Sequence, residues 1–457
     1  MRRTDILNLS YRGGAHRSSE AEVLIANYLK MHGLTVVHGS IHNGFELLLR
    51  FRPKVLLFSD AIGARINTLI AKFAKSLGIK VVSSIGEGII GKNAAPESYW
   101  GWNSEHEPCE DLLLHWSETA LKQFCEYIPE HAPFSVVCGA TGADRYLFAK
   151  PITQLPVERT RYALIVGVGC YAFDLLIGKS STPLATDFSQ VTKAFFTHER
   201  ECFATELAKI VQNNPDVLFL LKEHPASASN EDSAIEKCIN FNNALILKDE
   251  PIFDCIYHSD IWLSYESTTA LEAWLMGKPT ALLNPSGTDF PIERMSITDG
   301  QPNYTSAKEW INAIEYFKKH NVLLGFSERT KQREAIIRRY FQWNDGLNHV
   351  RAGNAILDLM ERPSTLVVPW HWKQFTKHIL NHTFRWHFSP YHRFFPSRPD
   401  WFAALRPFYE EYRSNWLQEV NEKFSSSRMK EQQAYYASKN LTLSDLRAMF
   451  YGKNIEN

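Results

Sequence analysis

The chain has no surplus of either charge: over 457 residues, 50 Lys and Arg stand against 50 Asp and Glu. A dedicated nucleic-acid binder normally carries a basic excess to neutralise phosphates, so the balance argues against that class. Long apolar runs are also missing, and no stretch approaches the ~20 residues that a membrane-spanning helix requires. Met1-Arg2-Arg3-Thr4-Asp5 leads straight into an apolar strand pattern, with no signal-peptide core. Only seven cysteines are present, with no CxxC pair, and they read as reduced thiols in a cytosolic protein. A GxSxG elbow, a GxxxxGK[ST] loop and a DxD pair are absent too. The missing DxD argues against a central chelated magnesium. No metal and no cofactor are expected.

What is present is an ordinary globular composition, 44% hydrophobic and 22% charged, long enough for two or three domains at about 150 residues each. Short apolar runs at 5–10, 34–38, 54–59 and 79–84 alternate with helical patterns at 18–31, 44–51 and 62–77. Gly33 and Gly78 stand where the longer helices should stop. Runs at 112–116 and 135–138 flank a helix at 118–127. After a linker containing Pro151 and Pro156 the alternation restarts, with strands at 162–168, 217–221, 245–247, 261–264 and 280–283. Helices at 194–213, 252–258 and 268–276 fall between them, and two more, at 327–340 and 350–360, close this half. Strands alternating with amphipathic helices predict parallel βαβ units. The expected fold is therefore α/β: two Rossmann-like domains, 1–150 and 151–362, with a cleft between them at the carboxyl ends of both sheets. Residues 363–457 form a C-terminal extension, helical and rich in aromatic and basic residues. Its Trp, Phe, His and Arg suit either an interfacial membrane surface or helices packed on the domains.

Three strand ends could carry chemistry. In 260–279, DIWLSYESTTALEAWLMGKP, a strand feeds a polar turn that opens a helix. Ser267, Thr268 and Thr269 sit where free backbone N–H groups favour a phosphate, although such residues also serve as plain caps. Glu272 is placed to reach a ribose or sugar hydroxyl. In 217–225, VLFLLKEHP, a buried strand ends in Lys222 and His224, a cation and an imidazole suited to a leaving phosphate, and Pro225 fixes the loop direction. In 79–91, IKVVSSIGEGIIG, Gly86 and Gly88 let another molecule approach closely, and Glu87 between them is the candidate base. Arg12, Gly13, Gly14 and His16 follow the first strand and read as a sugar- or acceptor-contacting loop. Two further segments, 139–144 (GATGAD) and 344–351 (NDGLNHVR), read either as cleft contacts or as a turn and a helix cap.

At these residues the sequence resembles the bacterial surface carbohydrate biosynthesis proteins, a family of GT-B glycosyltransferases. Segment 260–279 resembles that family's block AD-x-x-x-x-x-x-TT-x-x-EA-x-x-x-GKP. Lys222-Glu223-His224-Pro225 is similar to its RPHP block, Gly86-Glu87-Gly88 stands at its DEEG-like turn, and 341–351 resembles its closing YF-x-x-DG-x-x-x-x-R. The likeness spans about residues 5–360. The His-Pro and Ser/Thr motifs are shared with sialyltransferases and Kdo transferases that use CMP-activated acidic sugars. The resemblance therefore implies that His224, Ser267 and Thr268 bind the donor phosphate and that Glu87 is the base. Gly86 departs from the pattern, standing where a first acid is expected, and Lys222 stands where Arg is frequent. The resemblance implies a cytosolic glycosyltransferase, peripheral on the membrane's inner face if the extension meets lipid. It would take a nucleotide-sugar donor, with a CMP-linked nonulosonic acid or Kdo preferred, and a glycan or lipid-linked glycan acceptor. The alternatives are a CDP-glycerol phosphotransferase and a binding protein that has lost the chemistry.

Overall fold

The computed structural model describes residues 4–10, 17–59, 65–86, 88–89, 109–153, 155, 159–178, 189–224, 234–287, 296–363, 376 and 416–453. They divide into two compact units. The first holds the described residues up to Gly88, 109–144 and everything from Phe341 onward; the second holds Ile89 and 145–340.

The first unit begins β1 (Ile6–Ser10), α1 (Arg17–Met31), β2 (Val36–Ser40), α2 (Gly44–Phe51), β3 (Val55–Ser59), α3 (Arg65–Ser76) and β4 (Lys80–Ser84). It continues with β5 (Leu112–His115), α4 (Glu118–Tyr127) and β6 (Ser135–Val137). β1, β3 and β4 are buried along their whole length, the pattern of parallel strands covered on both faces. One face packs Leu7, Leu9, Phe58 and Val81 against α2 and α3. The other packs Ile6, Leu57 and Val82 against Ile25 and Leu29 of α1. Gly33 and Gly78 take φ of 84° and 73°, the left-handed stop expected of them.

The second unit contains α5 (Arg145–Phe148), β7 (Leu164–Gly169), α6 (Phe173–Leu176), α7 (Gln190–Gln212), β8 (Val217–Lys222), β9 (Ala244–Leu247) and α8 (Ile252–His258). Then come β10 (Ile261–Ser264), α9 (Thr269–Leu275), β11 (Thr280–Leu283), β12 (Asn303–Tyr304), α10 (Ala307–His320) and α11 (Thr330–Phe341). Its sheet is wholly parallel, in the order β12-β11-β10-β7-β8-β9. The order reverses between β7 and β10, and ligands of such sheets bind outside the carboxyl ends at that reversal.

The chain then returns to the first unit through α12 (Asn348–Glu361), α13 (Trp416–Ser438), α14 (Leu443–Arg447) and β13 (Gly452–Lys453). The first sheet runs β13-β6-β5-β4-β3-β1-β2, parallel except for β13, which pairs antiparallel with β6, and its own reversal lies between β1 and β3. The expected boundary at 362 therefore differs from the observed one. α12 lays Ala352, Ala355 and Ile356 on the first sheet, and α13 buries Arg428 against Glu20 at 2.6 Å. The aromatic stretch 369–412, for which membrane contact and packing were both open, lies outside the described residues except for Thr376.

Candidate functional site

In the second unit, register brings three strand ends level. Gly169 of β7 pairs with Lys222 of β8 on one side and with Ser264 of β10 on the other. β8 and β10 thus stand about 10 Å apart, two strand spacings, across a strand end that bears no side chain. His224 follows β8 and is half-buried. Burial lowers its pKa, the Lys222 charge lowers it further, and Asp174 opposes both, so the imidazole is neutral near pH 7 and carries a single N–H.

Across the gap, the turn after β10 is built from within. Gly167 and Gly169 leave room for the Trp262 indole, whose Nε1 donates to Thr269 Oγ1 at 3.0 Å. Thr269 Oγ1 donates to Ser267 Oγ at 3.0 Å, and that oxygen also accepts the Thr269 backbone N–H at 3.2 Å. Thr268 is the N-cap residue, but its side chain makes no capping hydrogen bond. The plain-cap alternative therefore fits Ser267 and not Thr268. Beneath the turn, Tyr265 is 1% exposed, donates its hydroxyl to Glu199 and packs on Phe173 at 4.9 Å. Burial pushes the Tyr265 phenol far above its ordinary pKa. One residue along α7, Arg200 Nε donates to Asp174 at 3.0 Å. Sequence reading missed both supports; the available signal was spacing, since Glu199 and Arg200 fall three and four residues after Phe196 and four and three before Phe203, on the helix's apolar face.

Two expected ligand groups are placed differently. Lys222 was expected to offer its ammonium to a phosphate, but it is buried and donates to the carbonyls of Glu223 (3.0 Å) and Lys248 (2.5 Å). Burial lowers the Lys222 pKa. Glu272 was expected to reach a ribose or sugar hydroxyl, but it is 3% exposed and hydrogen-bonds Tyr146, whose hydroxyl also accepts from Arg145 at 2.8 Å. A fully buried guanidinium–phenol pair demands such a carboxylate. Pro225 lies outside the described residues.

In the first unit, Gly86 lines a recess at the end of β4. Gly88 was expected to admit another molecule, yet a Cβ there would stand 2.4 Å from the Trp116 ring, so what approaches it is the chain's own indole. Trp116 Nε1 donates to Ile85 O at 2.7 Å, closing that turn. Segments 139–144 and 344–351 pack on each other as turn and cap. Asp144 accepts the His349 backbone N–H at 2.7 Å and lies 2.7 Å from its Nδ1, while Arg351 pairs with Asp345 at 2.6 Å. Glu87, Arg12, Gly13, Gly14 and His16 lie outside the described residues. Among the described residues, no group of three or more His, Cys, Asp or Glu is arranged to hold a metal ion.

Two Rossmann-like α/β units, each with its topological reversal at the carboxyl edge, define a GT-B-like fold. Comparison with solved structures carries the same fold. The chain is similar to wall teichoic acid polymerase TagF, at 13% identity and a TM-score of 0.53, covering 78% of this chain and 90% of that one. It is also similar to a Listeria monocytogenes protein provisionally described as a UDP-N-acetylglucosamine 2-epimerase, at 12% identity and a TM-score of 0.50, covering 80% and 98%. No family model and no curated protein sequence matches the chain. Identity this low establishes the fold and leaves the reaction to the site.

Proposed function

We propose that the protein is a glycosyltransferase of bacterial surface glycan assembly that takes a nucleotide-activated donor, with a CMP-linked acidic sugar preferred. The observation that carries this reading is the level set of strand ends at Gly169, with His224 on one side and the Ser267–Thr269 turn on the other. A neutral imidazole N–H and the Thr268 hydroxyl would both donate to a leaving phosphate, which needs donors aimed at its oxygens as charge develops. Lys222, tied to its carbonyls, would act through its charge alone.

In this mechanism the acceptor hydroxyl attacks the anomeric carbon as the bond from that carbon to the nucleotide phosphate breaks. The phosphate leaves with the electron pair, and the hydroxyl proton passes to Glu87. The acceptor is a glycan or lipid-linked glycan. A second reading, transfer of glycerol phosphate from CDP-glycerol, is favoured by the likeness to TagF.

Thermal shifts with CMP, CDP, UMP and UDP test the donor. A cytidine nucleotide at about 100 times its Kd should add roughly 2.7 kcal/mol, a shift of several degrees. His224→Ala should abolish the shift; Glu87→Ala should keep it and lose turnover. Stabilisation by uridine nucleotides only would overturn the donor assignment. CDP stabilising far better than CMP would move the reading to CDP-glycerol.

A further inference from the structure

The polar residues in the middle of α7 divide by face. Glu199 and Arg200 are buried and reach inward to Tyr265 and Asp174. His198 and Cys202 lie on the outer side, His198 exposed and Cys202 half-buried. Residues four apart on a helix are neighbours on its surface. Here they are in direct contact, with Cys202 Sγ 3.5 Å from His198 Nε2. The helix runs unbroken from Gln190 to Gln212, so intact backbone on both sides holds the two side chains in that relation.

Two features of this pair suit a metal ion. The first is separation. A tetrahedral zinc ion binds thiolate at about 2.3 Å and imidazole at about 2.0–2.1 Å, which sets the two donor atoms about 3.5–3.6 Å apart. His198 and Cys202 already stand at that separation. The second is the local field. Glu199, Glu206 and Glu201 bear on the Cys202 sulfur as negative charges, against Lys237 alone. Glu201 is tied to Arg200 and Lys237, and Glu206 to Lys209 and the Ala307 N–H, so both act through charge and not as ligands.

We infer that His198 and Cys202 chelate a zinc-like, thiophilic divalent ion on the outer face of α7. Imidazole with thiolate selects zinc and its soft neighbours over magnesium and calcium, which take oxygen. On binding, the thiol proton leaves to solvent, and the thiolate and the Nε2 lone pair each form one bond to the ion. No electron is transferred. Water fills the remaining positions, as in an open site, in keeping with the lack of a third protein ligand among the described residues. The chelate spans the turn whose inner side carries Glu199 and Arg200, and so braces the supports of the Ser267–Thr269 turn from outside. This inference does not depend on the transferase reading.

The test is a cobalt(II) titration of the full, reduced chain, read by absorption, with zinc and magnesium as competitors. One ion per chain should give a thiolate-to-cobalt charge-transfer band in the near ultraviolet, which zinc removes and magnesium does not. Cys202→Ser should abolish the band. His198→Ala should weaken binding at least about tenfold, since even an indirect partner of a metal ligand costs that much. Cys125, the one other cysteine that is not buried, supplies the control: Cys125→Ser should leave the band unchanged. Zinc should also slow alkylation of Cys202 by iodoacetamide, located by mass spectrometry. With a chelator present, each variant should melt at the wild-type temperature. No band, a band that survives Cys202→Ser, or full affinity in His198→Ala would overturn the inference.

Discussion

Burial sets the charge of the histidines enclosed by the first unit. Desolvation pushes His115 down to about 3, helped by the charge of His131, and pushes His38 to about 3, helped by Lys30. His131 falls to about 4 despite the nearby Glu130. An unfolded histidine takes up its proton near its ordinary value, while these native ones resist until far lower pH. Between those limits the unfolded state binds more protons, so stability is present above about pH 6.5 and is lost as pH falls toward 3. Urea midpoints from pH 7.5 to 4.5 should therefore decline steadily. His115→Asn should make that decline shallower by on the order of 1 kcal/mol per pH unit, while costing stability at neutral pH through the contact with Ser135 at 3.1 Å. An unchanged slope would mean that His115 is already charged in the native state. The same scale shows where sequence reading stops. Spacing put Lys222 and Glu272 at a strand end and a first helical turn, which is where they are. It could not tell that the carbonyls of Glu223 and Lys248 and a buried Arg145–Tyr146 pair would claim them first.

At the scale of elements, most strands and helices were legible because apolar period and glycine stops are local signals. α10 was missed although Ser306 and Glu309 spell a capping box, and the box is formed, with Glu309 accepting the Ser306 N–H at 3.2 Å. β12 and β13 are two residues each and carry no period to read. β7 shows what an element's glycines are for. A Cβ on Gly167 would stand 2.2 Å from Ser259 Oγ and 2.4 Å from the Trp262 ring. Gly167→Ala should therefore destabilise by about 1–3 kcal/mol in denaturant unfolding, the cost of overpacking a filled core. The displaced indole would release Thr269, so any nucleotide-induced shift should shrink as well. An unchanged midpoint would show that Trp262 is free to move aside.

At the scale of the molecule, the C-terminal residues are part of the first unit's core. Asn27 donates to Ser425 O at 2.9 Å and to Gln432 at 3.0 Å, His349 meets Tyr436 at 2.5 Å, and β13 covers the edge of β6. A chain ending at residue 415 would strand Glu20 in the interior without Arg428, a loss on the order of 3–5 kcal/mol, and would open a sheet edge. It should lose the cooperative unfolding transition of the first unit in calorimetry and keep that of the second; two intact transitions would contradict this. Among the described residues, no helix is long and apolar enough to cross a membrane.

The sequence alone determined the α/β class, the two-fold repetition of βαβ units and which segments close the strands at the carboxyl edges, because hydrophobic period and turn residues act within a few positions. Only the tertiary structure decided that the last helices belong to the first unit and that Lys222 and Glu272 are spoken for. Those facts depend on packing and on which buried polar group reaches a partner first, and both are settled between segments far apart in the chain.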